Sequence, residues 1–133
     1  MSNIAAYLSK AMLDWSLGGA AATRPSMRAV GLSLGLPSST SASEVGTGSG
    51  YSRQTGAATL FSAVSLSVGF ASNNTPLTFG SFSSSAVIQG LCIFDTTATG
   101  GNMLYYGSFV TARTVLASDL LVIDAGGLVI QLS

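Results

Sequence analysis

With 133 residues the chain is sized for one domain, because two would leave each half too small for a self-sufficient core. Only 8% of residues are charged, against about 25% in an average soluble domain, and five Lys and Arg balance five Asp and Glu. Histidine is absent and cysteine occurs once, which excludes imidazole acid–base catalysis, Ser-His-Asp and Cys-His nucleophiles, thiolate zinc sites and an intramolecular disulfide.

Taken in chain order, residues 3–17 are the only convincing helix. Ile4, Tyr7, Leu8, Ala11, Met12 and Trp15 recur at the three- and four-residue spacing of one apolar stripe. Ser2 or Asn3 is positioned to cap its start, and Gly18-Gly19 supplies the stop. Lys10 and Asp14, four apart, occupy the polar side. Leu13 and Leu17 lie outside the stripe, so this helix needs something to pack against on more than one side. Ile4, Tyr7, Leu8, Met12 and Trp15 are therefore the candidate subunit interface, with Trp15 as its anchor. The same segment lacks the basic leader of a signal peptide, and Lys10 and Asp14 interrupt its apolar run. No uncharged apolar run reaches the length of about 18 residues that a membrane span requires.

After Pro25 the pattern changes to a period of two. Between Arg28 and Leu36, large Val30, Leu32, Leu34 and Leu36 alternate with small Ala29, Gly31, Ser33 and Gly35, predicting a strand with one core face and one nearly bare face. Residues 37–50 read as a long Ser- and Gly-rich loop, a length usually reserved for functional or mobile segments. Strand-like runs then follow about every ten residues, at 51–61, 63–70, 76–82, 86–94, 102–107, 109–116, 119–124 and 127–132. Asn73-Asn74-Thr75-Pro76 is a turn, 95–101 a hairpin loop whose glycines accept positive φ, and 124–127 a similar connection. The expected fold is mainly β: a single domain over 1–133, with a short N-terminal helix in 1–19 and an antiparallel β-sandwich or jelly-roll of about seven or eight strands in 20–133.

Little chemistry is available to this chain. The acids Asp14, Glu44, Asp95, Asp119 and Asp124 sit at a helix face, loops or strand boundaries, where turn and capping duty explains each, so no catalytic residues are expected. Gly46-Thr47-Gly48-Ser49-Gly50 resembles a phosphate loop only superficially, since a strand rather than a helix N-terminus follows it. No cofactor and no metal are expected. Lys10, Arg24, Arg28, Arg53 and Arg113 are too few and too scattered for nucleic acid or an anionic membrane. Tyr105-Tyr106 suggests a sugar platform, but neighbouring strand residues face opposite sides, leaving at most one exposed. Cys92, inside the apolar run 87–94, reads as a buried, inert thiol.

An ordered series of short segments carries a resemblance over nearly the whole chain. They are Glu44-Val45 with Gly50-Tyr51-Ser52-Arg53-Gln54, Asn73-Asn74 with Leu77-Thr78-Phe79, Gly90-Leu91-Cys92-Ile93-Phe94-Asp95, and Gly100-Gly101-Asn102-Met103-Leu104-Tyr105-Tyr106-Gly107. Thr114-Val115, Ala117-Ser118-Asp119 and Ala125-Gly126-Gly127-Leu128 complete it. The pattern resembles a small family of tailed-bacteriophage structural proteins, often labelled tail fibre proteins and similar to capsid decoration proteins. The Ser-rich stretch 37–43 departs from it, because many relatives carry an acidic, proline-containing loop there. The resemblance implies a virion protein made in the host cytoplasm, without catalytic residues. The leading expectation is a capsid decoration (cement) protein whose partners are the major capsid protein and copies of itself in a homo-oligomer. The alternative is a tail or fibre component involved in host adsorption. The short, repeat-free chain favours the capsid.

Overall fold

The computed structural model describes residues 3–55, 60–62 and 69–131. It bears out a mainly β, antiparallel fold with one short N-terminal helix. In chain order the elements are β1 (Asn3–Ile4), α1 (Ala6–Ser16), β2 (Ala29–Ser33), a 3-10 turn at Thr47–Ser49, β3 (Gln54–Thr55), β4 (Phe70–Ser72), β5 (Leu77–Phe79), β6 (Ala86–Phe94), β7 (Met103–Val115), β8 (Leu121–Ile123) and β9 (Val129–Gln131). Five strands form the main sheet in the order β1-β7-β6-β2-β3, while β4 pairs with β9 and β5 with β8 in two short ladders. The described strands thus number nine, arranged as one large sheet with two small ladders.

The N-terminus departs from the expected helix. Asn3 and Ile4 pair with Tyr106 and Tyr105 on β7, and the helix begins after Ala5, which caps it without a side-chain hydrogen bond. The expected cap Asn3 is spent on the sheet, and Ser2 lies outside the described residues. The physical reason is that Ile4 beside β7 satisfies backbone groups and half-buries an apolar side chain together. At the other end Gly18 takes φ +88 and Gly19 N–H donates to the Asp14 carbonyl at 2.6 Å, the expected glycine stop.

β2 is shorter than expected and covered on both faces. Val30 and Leu32 enter the main core, but Ala29, Gly31 and Ser33 are equally buried. A Cβ at Gly31 would sit 2.8 Å from the Tyr51 hydroxyl and 3.0 Å from the Glu44 carboxylate. The small residues are needed because the 37–53 segment folds back over them. Leu34 N–H donates to Ser43 O and Val45 N–H to Leu32 O, so this segment is an ordered part of the fold.

The runs 102–107 and 109–116 are one strand, β7, because Gly107-Ser108 contains no turn signal. Its register against β6 slips instead. Ile88 pairs with Arg113 and Gly90 with Ser108, so one residue of β6, Gln89, faces four of β7, residues 109–112. The slip also exchanges the faces of β6, and Ile88 and Ile93, five apart, enter the same core. Most of the expected strand at 63–70 and parts of 51–61 and 127–132 lie outside the described residues. The 95–101 hairpin forms as expected, with Gly100 and Gly101 at positive φ and the Asp95 carboxylate accepting from Asn102 N–H at 2.8 Å.

The main core includes Val30, Leu32, Tyr51, Phe79, Phe82 and Ile88, with Tyr51 and Phe79 stacked at 6.2 Å between centroids. A smaller cluster of Ala5, Cys92, Phe94 and Met103 lies under the N-terminus. Asn73, fully buried, binds the ladders together: its amide donates to the carbonyls of Thr75 and Asp124, and its side-chain oxygen accepts from Leu128 N–H.

Candidate docking surface

The helix is anchored by its first turn. Ala5 is buried and its N–H donates to Leu104 O at 2.9 Å, and Ala6 N–H donates to Ser39 O at 2.8 Å. Leu8 reaches the main core, yet no residue of α1 is fully buried. Beyond that turn the helix stands clear of the sheet. Met12 is 40% exposed, Trp15 66%, and Tyr7, Leu13 and Leu17 are exposed as well. At 3.6 residues per turn Met12 and Trp15 fall on one side and Leu13 and Leu17 on nearly the opposite one, so the second half is apolar almost all round. Lys10 and Asp14 pair with each other on the remaining polar strip.

The five candidate interface residues therefore divide. Ile4 is taken by β1 and Leu8 by the core, while Tyr7, Met12 and Trp15 remain outward. Leu13 and Leu17 join them; sequence reasoning saw both outside the stripe but did not assign them to the surface. Large apolar side chains left exposed together on one half-helix mark an interaction site more often than a free surface.

The second feature is polar and was not assigned a role from sequence, although the side chains that build it, Glu44, Tyr51, Arg53 and Phe94, lie in the segments that carry the resemblance. Arg53, buried to 8% exposure, donates two parallel hydrogen bonds to Glu44, Nε to Oε1 and Nη2 to Oε2, each 2.7 Å. Its Nη1 donates to the carbonyls of Thr96, Ala98 and Gly100 at 2.8, 2.7 and 3.0 Å. The guanidinium lies 3.6 Å from the centre of the Phe94 ring. Tyr51 donates to Glu44 at 2.8 Å and accepts from Leu32 N–H at 3.0 Å. Burial and the Glu44 hydrogen bond push the Tyr51 phenol above its ordinary range. The arrangement holds the 95–101 loop closed around an internal cation.

Cys92 is buried as expected, and burial with the nearby Glu44 charge pushes its thiol up to about 12 against a partial offset from Arg53. Tyr105 and Tyr106 are both half-buried, the first against the main core and the second against the smaller cluster, so they form no common platform. Burial also raises the Tyr105 phenol. Among the described residues no three His, Cys, Asp or Glu side chains gather as a metal would need, and no helix is long and apolar enough to cross a membrane.

A family model described as podophage GP4 fiber I protein gp80 matches residues 3–131. No curated protein matches the chain.

Proposed function

Because the chain belongs to the family of the podophage GP4 fiber I protein gp80, a small family of phage structural proteins, we propose that it is a non-enzymatic fibre component of a tailed-phage virion. The family match favours the fibre over the capsid-shell role that chain length and the lack of repeats had suggested. The observation that carries the mechanism is the unpartnered second half of α1. Met12, Leu13, Trp15 and Leu17 project from a helix whose first turn alone is held by the sheet. In the assembled fibre this half-helix inserts into an apolar groove of a neighbouring virion chain, with the Trp15 ring as anchor. The rigid β body then spaces and orients the contacts. Catalysis plays no part.

The test is to locate and count the protein on purified particles by labelled cryo-electron microscopy and quantitative mass spectrometry. A small number of copies confined to the fibres supports the reading. Hundreds of copies distributed over the shell sink it.

A further inference from the structure

We propose that a second copy of this chain pairs with the outer edge of β7, antiparallel and across a two-fold axis centred near Thr111. On its inner edge β7 is paired with β6, but on its outer edge β1 covers only Tyr105 and Tyr106. Among the described residues nothing pairs with the outer edge from Gly107 to Val115. Residues 109–112 also lack register partners on β6, and the Val110 side chain is fully exposed. An edge this long, without proline and with one charge, is a template for strand addition.

The occupant follows from charge. β7 and β8 also wall a groove of about 630 Å³, lined by Arg113, Leu120, Val122 and Asp124 among others. Lys10 is paired with Asp14 and Arg53 with Glu44; Asp95 and Asp119 accept backbone N–H groups. Arg113 and Asp124 are the opposite charges left at the groove, both exposed and making no side-chain hydrogen bond to described residues. The chain turns at 116–119, where Asp119 N–H donates to Leu116 O, and Asp124, just after β8, lines the same groove as Phe109. Antiparallel pairing centred on Thr111 sets Arg113 of one copy opposite Phe109 of the other, beside that copy's Asp124. Two identical chains therefore satisfy both charges twice, and zero net charge leaves no overall repulsion between them. Val110, Leu116, Leu120 and Val122, all exposed in the single chain, are covered in the same step.

The test is the oligomeric state of the purified full chain at micromolar concentration, by analytical ultracentrifugation with circular dichroism as a check of folding. The wild-type chain is a dimer, and T111P, at a position without a register partner on β6, is a folded monomer. R113D and D124R each weaken the dimer about tenfold or more by opposing like charges. Mixing these two variants restores a heterodimer, because every cross-pair is then Asp against Arg. A monomeric wild-type chain, or a folded T111P that still dimerises, overturns the proposal. So does a mixture of R113D and D124R that stays monomeric, or dimerisation lost in W15S but kept in T111P, which would place self-association on the helix. None of these readouts depends on where the protein sits in the virion.

Discussion

A guanidinium carries five N–H donors and no acceptor, so burying one demands a full set of oxygens or a large desolvation cost. Arg53 finds that set in Glu44 and three loop carbonyls, with the Phe94 ring against its face. Removing it strands a carboxylate at 20% exposure and three carbonyls, so Arg53→Ala is expected to cost on the order of 3–5 kcal/mol in urea unfolding. Arg53→Lys is expected to recover little, because an ammonium cannot make the paired contact to Glu44 and also reach the loop. Cys92 sets a pH dependence. Its folded thiol titrates near 12 and its unfolded thiol near 9.0, so the folded chain binds the proton more tightly. That contribution to stability is complete below pH 9 and is lost as pH rises from 9 toward 12. The urea midpoint should fall across this window, and Cys92→Ala should flatten the onset of the fall; Tyr51, also raised, adds to the decline at higher pH.

At the scale of elements, α1 divides its labour along its length. The first turn is bound through Ala5, Ala6 and Leu8, and the second half contributes little to the chain's own core. Trp15→Ala should therefore change the stability of the isolated chain by less than about 1 kcal/mol, as for other surface substitutions. Loss of the same ring from a protein–protein contact typically costs about 2 kcal/mol or more, so incorporation into particles should drop sharply. Equal losses in both measurements would mean that Trp15 belongs to the core. The loop before β3 behaves in the opposite way. Gly50 sits at φ +75, and a Cβ there would collide with the Ser81 carbonyl. Gly50→Ala should displace Tyr51 from the main core and lower the thermal midpoint markedly.

At the scale of the whole molecule, ten charged side chains with zero net charge cannot form a large complementary electrostatic surface. Exposed pairs are screened within about 8 Å at physiological salt and contribute no more than roughly 1 kcal/mol each. The proposed interface through α1 must then rest on apolar burial, which high salt does not weaken. Virions washed in about 1 M monovalent salt should retain the protein, while denaturant should strip it. Stoichiometry on the particle after each wash is the measurement, and release by salt alone would move the contact onto the arginines. The proposed β7 pairing fits the same limits, since Arg113 and Asp124 select the register while backbone hydrogen bonds and Val110 hold the two copies together.

The sequence alone determined what is local. A strand-like apolar run located β6 at both of its ends, glycines marked the helix stop and the 95–101 hairpin, and the lack of histidine limited the chemistry. Those features depend on spacing within a few residues. Tertiary structure decided the rest, because each remaining question turned on a partner distant in the chain. Asn3 and Ile4 became a strand because β7 offered an edge a hundred residues on. The bare face of β2 was covered by a loop whose length marked it as functional or mobile, and Arg53 acquired its purpose only when that loop and the 95–101 hairpin met around it. Most of all, the wide apolar helix announced that it needed neighbours, but only the folded chain separated Leu8, which the core satisfies, from Met12 and Trp15, which it leaves exposed. Burial is a property of the assembled surface, and no residue's spacing along the chain carries it.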